Sequence, residues 1–250
     1  MVVIAAFFGG YQLAVYQEQN NDTLLPHFNF SKQACPAGDT PEYDLTNPQT
    51  DTDPICLRPG EQPVALKPVI YLYPTHQEQV NVQLSYPAGF RSTSPTYDPQ
   101  TGWQVLAQPN GALTNLADGR TYPYLFWEGK PAPLQFNMTK GFVVAGSQTK
   151  AFLQTQLTSM GLNQNETSGF IAFWLPRMQG NRYNLIHFAG SEYTNYAKLT
   201  VSPEPDSLLR VFMAFEPLQR PVPVSAQSFP AFHRNGFTVV EWGGTELHQD

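Results

Sequence analysis

Apolar and polar residues alternate most cleanly over 80–84, where Val80, Val82 and Leu84 are separated by Asn81 and Gln83. A period of two is the pattern of a strand with one wet face. The stretch just before it, 69–73, is a β-branched and aromatic run closed by Pro74, and it predicts a second strand. Residues 102–107 (GWQVLA) place Trp103, Val105 and Ala107 on one face. Pro109-Asn110-Gly111 and Asp118-Gly119 are tight-turn signals, and the aromatic strand 120–128 that follows is interrupted at Pro123. The clearest helix is 147–160: Ser147 is a suitable N-cap, Phe152, Leu153, Leu157 and Met160 share a face, and Gly161 supplies a left-handed stop. Asn163 and Glu166 have the spacing of a further cap, expected to open one turn before a strand over 170–175. Strands are expected at 183–188, 199–201, 208–215 and 237–242, with a short helix over 191–197. The sum is a β-rich α+β domain, an antiparallel β-sandwich or distorted barrel of about eight to twelve strands with one packed amphipathic helix.

The pattern changes upstream of residue 67. Residues 2–16 are apolar apart from Gln12 and carry no charge. As a helix they would span about 22 Å, less than the roughly 30 Å of a bilayer core, and no basic n-region precedes them. The expected role is a hydrophobic anchor or signal-anchor remnant, the alternative being a helix or strand buried in the domain. Residues 17–66 are rich in Pro, Asp and Thr and poor in apolar side chains, which predicts a stalk. Cys35 and Cys56 both lie in it, with no histidine between them. Joined, they would stabilise by about 3 kcal/mol and imply an oxidising compartment; two free thiols are the other reading. The expected division is therefore anchor 1–16, stalk 17–66 and globular domain 67–250.

Composition narrows the partners. Charged residues are 14% of the chain, against roughly a quarter in ordinary soluble proteins, and the net charge is −6 with no basic cluster. A phosphate backbone would find no electrostatic footprint, so nucleic acid is not expected as a partner. Asn21, Asn29, Asn137 and Asn165 each begin an Asn-x-Ser/Thr sequon.

Several peptides in fixed order, KPVIYLYP (67–74), GRTYPYLFWEG (119–129), FWLPRM (173–178), LLRVFMAFEPL (208–218) and GFTVVEWGG (236–244), resemble a group of predicted extracytoplasmic proteins. Many members of that group carry an N-terminal hydrophobic segment. The resemblance spans nearly the whole domain and implies its boundary and an extracytoplasmic, membrane-anchored or secreted location. It assigns no activity, cofactor or functional residue.

Familiar catalytic signatures are missing: the chain has no G-x-S-x-G elbow, P-loop, G-x-G-x-x-G or H-E-x-x-H. The histidines are scattered singly, so no metal site and no cofactor is expected. Two carboxylates stand out because Glu128 and Glu241 adjoin Trp127 and Trp242. An apolar wall raises a carboxyl pKa, and a suitably spaced pair would serve glycoside hydrolysis, with His187 or Arg177 as helper. Against that stands a structural role for each glutamate, paired with an arginine or with turn backbone. Trp103, Trp127, Trp174 and Trp242 are either a stacking platform for sugars or core. The leading expectation is a surface-displayed recognition or structural module, with glycans or another surface protein as partner and the membrane contacted through the N-terminal segment. A secreted glycoside-type hydrolase is the alternative.

Overall fold

The computed structural model describes residues 40–42, 55–57 and 64–247. The expected anchor, Cys35 and the side chain of Cys56 lie outside the described residues. Within the expected stalk, β1 (Thr40–Glu42) pairs antiparallel with β2 (Ile55–Leu57). Val64, Ala65 and Leu66, which composition assigned to the end of the stalk, are buried in the core.

The remaining strands are β3 (Leu66–Tyr73), β4 (Glu78–Ser85), β5 (Phe90–Ser94), β6 (Trp103–Ala107), β7 (Leu113–Asn115), β8 (Thr121–Tyr122), β9 (Leu125–Gly129), β10 (Phe142–Ala145), β11 (Tyr183–Ala189), β12 (Lys198–Ser202), β13 (Ser207–Leu218) and β14 (Thr238–Glu246). They form a seven-stranded sheet ordered β10-β11-β13-β14-β3-β9-β5 and a five-stranded sheet ordered β12-β4-β6-β7-β8. Neighbours are antiparallel except β13 and β14, which run parallel. The β-rich α+β expectation holds, as two packed sheets without a closed barrel.

The large sheet is buried on both faces. One face, with Ile70, Leu72, Leu125, Trp127, Phe212 and Val239, packs on the small sheet through Val80, Val82, Trp103 and Val105. The other, with Val69, Tyr71, Phe126, Met213, Phe215 and Trp242, is covered by helices. This explains the near-continuous apolar runs of β3, β13 and β14, while β4, with one wet face, alternates.

Two helices cover that face, where one was expected. The first, α1 (Thr149–Met160), is preceded by a 3-10 turn over Gly146–Gln148 and capped by Gln148 rather than Ser147. Gly161 ends it at φ 105°, in the left-handed region. The second, α2 (Gln164–Met178), occupies the stretch expected as a strand over 170–175. Its N-terminus is a complete capping box: Glu166 N–H donates to Asn163 Oδ1 at 2.9 Å and Asn163 N–H to Glu166 Oε2 at 2.8 Å. The box thus opens a full helix. A short α3 (Ser191–Thr194) follows β11.

Candidate functional site

The two glutamates proposed as a pair point to opposite faces of the large sheet. Consecutive side chains in a strand alternate, so a glutamate beside a tryptophan in sequence is turned away from it in space. On β14, Val239 and Glu241 face the small sheet, while Val240 and Trp242 face the helices; on β9, Trp127 faces the small sheet and Phe126 and Glu128 the helices. They therefore cannot flank one glycosidic bond.

Glu241 is instead the hub of a buried polar node. Its Oε1 accepts from the Trp127 indole N–H and the Tyr193 hydroxyl, each at 3.2 Å, and its Oε2 from Arg210 Nε at 2.6 Å. Arg210 Nη1 donates to the Ala197 carbonyl at 2.6 Å, and the guanidinium lies 4.9 Å from the Tyr193 ring centre. Burial works against the charge on Arg210, but the Glu241 carboxylate more than offsets it and holds the guanidinium protonated above its ordinary range. Burial and the same carboxylate push the Tyr193 hydroxyl well above the usual phenol range. This is the arginine-paired structural role weighed for Glu241.

The four tryptophans form no platform. Trp103, Trp127, Trp174 and Trp242 are each at most 1% exposed. The Trp103 indole donates to the Pro95 carbonyl at 2.7 Å, and Trp174 is wedged among Phe170, Phe173 and Phe215. His187 is likewise structural. Its Nε2 lies 2.8 Å from Glu192 Oε2 and its Nδ1 2.8 Å from the Lys140 carbonyl. Glu192 also accepts from Asn137 N–H at 2.8 Å, pinning the segment before β10 over this end of the sheet. Among the described residues no group of three or more His, Cys, Asp or Glu is placed to hold a metal ion, and no helix is long and apolar enough to cross a membrane.

The remaining two candidates, Glu128 and Arg177, converge on Lys67, which lies just ahead of the strand expected over 69–73. Between β3 and β14 the register runs Val69 opposite Trp242 and Leu66 opposite Gly244, so Lys67 and Pro68 together face Gly243. That is a β-bulge, a device that re-aims a side chain. Lys67 takes φ 44°, a left-handed conformation unusual for any residue but glycine, and a Cβ on Gly243 would come within 2.9 Å of Pro68 Cα. Two residues before Val69, Lys67 lies on the helix face, where Nζ lies 5.3 Å from the centre of the Phe173 ring. Arg177 stacks on that ring at 4.1 Å, its Nη1 donating to the Phe173 carbonyl at 2.9 Å.

Glu128 completes the group. The β3–β9 register pairs Val69 with Phe126; continued two residues, it sets Glu128 across from Lys67. Ser92 pairs with Glu128 on the next strand, and its Oγ donates to Glu128 Oε2 at 3.4 Å. Lys67, Glu128 and Ser92 therefore form a row over three neighbouring strands, capped by the end of α2. Glu128 is buried, whereas Lys67, Ser92 and Arg177 are half-buried. The Lys67 amine is brought down to about 8, first by burial and then by Arg177, with Glu128 acting in the opposite sense. The available signal in the sequence was one charged residue heading an apolar run. The pairing with Glu128 was invisible there, because it depends on register.

No protein-family model matches the chain, and no solved structure matches it. It is similar to the "Uncharacterized protein in bglA 3'region" of Butyrivibrio fibrisolvens, with 42% identity over 65 residues. The match covers 26% of this chain and 66% of that protein's length, just short of two thirds.

Proposed function

We propose that the chain is an extracytoplasmic recognition module, held at the membrane by residues 2–16 and spaced from it by the residues between 17 and 63. Its ligand-contacting surface is the row Lys67–Glu128–Ser92 under Phe173 and Arg177. One observation carries this reading: a non-glycine residue is kept in the left-handed region at a bulge, at the one position of β3 where its ammonium joins a row with a carboxylate and a hydroxyl. Backbone strain of this sort costs of the order of 1 kcal/mol and persists where the conformation is used. The β5 residues bordering the row are all half-buried, so this edge of the helix-covered face is partly open. An amine and a hydroxyl on a strip of partial exposure, oriented by a buried carboxylate, are donors and acceptors suited to sugar hydroxyls. Glycans remain the first ligand class.

The test is a glycan array read with the wild-type chain, Lys67→Met and Ser92→Ala. The expected outcome is a defined set of glycans bound by wild type and lost in both variants, with neither variant melting below wild type. Either an array with no binders or an unchanged profile in both variants would overturn the assignment.

A further inference from the structure

We propose that Lys67 is a reactive amine that captures aldehydes as a protonated imine, with Glu128 moving the proton. The inference rests on the reading of the Lys67–Glu128–Ser92 row as a ligand surface, and adds covalent chemistry to it.

The geometry sets this lysine apart from the others among the described residues. Lys130, Lys140, Lys150 and Lys198 are exposed, as lysines on a solvated face are expected to be. Lys67 is half-buried, its backbone held in a conformation that favours glycine, and its Nζ lies over an aromatic ring on which a second cation, Arg177, is also stacked. The charged groups acting on the amine are Arg177 from α2, which disfavours a positive charge there, and Glu128 from β9, which favours it. Gly243 of β14 presents no side chain at all. Burial and Arg177 prevail, so the neutral amine, the nucleophilic form, is present near physiological pH, as in other lysines activated by desolvation and a neighbouring cation.

In the reaction the Nζ lone pair bonds to the carbonyl carbon while the carbon–oxygen π pair moves onto oxygen. Glu128 accepts a proton from the adduct nitrogen and returns it to that oxygen, giving a carbinolamine. The nitrogen lone pair then forms the carbon–nitrogen double bond as the hydroxyl, with one more proton, leaves as water. One amine, one aldehyde and one proton from solvent enter, one protonated imine and one water leave, and nothing is oxidised or reduced.

The test treats the full chain with a small aldehyde, glyceraldehyde, and cyanoborohydride, which traps the imine as a stable secondary amine; peptide mass mapping then gives the rate at each lysine. Lys67 is expected to be modified about ten-fold or more faster than Lys130, Lys140, Lys150 and Lys198 at neutral pH. In Glu128→Gln the limiting rate at Lys67 should fall while the midpoint of its pH profile moves down, because a group favouring the ammonium has been removed. A purely structural glutamate would not produce that split. Labelling of Lys67 no faster than the surface lysines in the folded protein overturns the proposal, and so does a Glu128→Gln profile identical to wild type. Glycan binding without preferential labelling defeats this inference alone; preferential labelling without glycan binding defeats the recognition reading alone.

Discussion

Arg210 and Glu241 meet with 8% and 1% of their side-chain surface exposed, so neither charge can be left behind cheaply when the other is removed. Arg210→Met should cost about 3–5 kcal/mol in urea unfolding, because it strands a buried carboxylate. Arg210→Met combined with Glu241→Gln should cost clearly less than the sum of the single changes, which a double-mutant cycle measures. Lys67 makes the opposite prediction. An amine brought down to about 8 from 10.5 is a charge the folded state resists. Above the folded value the unfolded chain binds more protons than the folded one, so stability rises with pH from about 8 to 10.5 and the penalty is fully present below that window. Lys67→Met should therefore be more stable than wild type at neutral pH, with the gap closing toward pH 10.5 in thermal melts across that range. Glu128, Arg177 and Glu241 could be picked out from the sequence as residue types. Their companions could not, because the period of two that makes a strand recognisable also sends Glu128 and Glu241 away from their adjacent tryptophans.

Helix α2 carries the clearest lesson about elements. Residues 170–175 are almost wholly apolar, and a short apolar run has no period by which to tell strand from buried helix. Burial supplies the physical reason: Phe170, Ile171, Phe173 and Trp174 are all inside, so too little polar face survives to mark the turn of a helix. The local signal that decided the matter was the capping box at Asn163 and Glu166. Asn163→Ala should cost about 1 kcal/mol in stability, since one N-terminal donor of α2 loses its acceptor. Glu166→Ala should cost more, because its carboxylate also receives Arg234 from the segment that leads into β14. Chemical denaturation of both variants checks the ranking; equal costs would mean that the cap is the whole contribution of Glu166.

Across the molecule, two long connections cover parts of the sheet that the regular elements leave bare. One is the segment before β10, fastened by Glu192 through His187 and Asn137. Burial alone would raise the Glu192 carboxyl, but the hydrogen bonds from His187 and the backbone outweigh it and hold the group below its ordinary value of 4.5. The unfolded chain therefore takes up this proton first as the solution is acidified. The contribution is complete above about pH 4.5 and disappears as pH drops through the lower folded value. Glu192→Gln should accordingly be less stable than wild type at neutral pH, with the two unfolding curves converging in acid.

The second connection, residues 219–237, is required by the parallel pairing of β13 and β14. Gln227 pairs its amide with both backbone groups of Phe188, Phe229 stands edge-on to the Phe188 ring, and Arg234 reaches the Gly161 carbonyl at the turn between the helices. The order in which the chain leaves the ribosome gives this arrangement a kinetic meaning. The strand that follows all others among the described residues, β14, occupies the middle of the large sheet. Until residue 246 has emerged and this connection has wrapped around, β3 and β13 each present a bare hydrogen-bonding edge with nothing between them. The large sheet is thus left in two halves with no strand between them, which delays its cooperative folding until β14 has emerged.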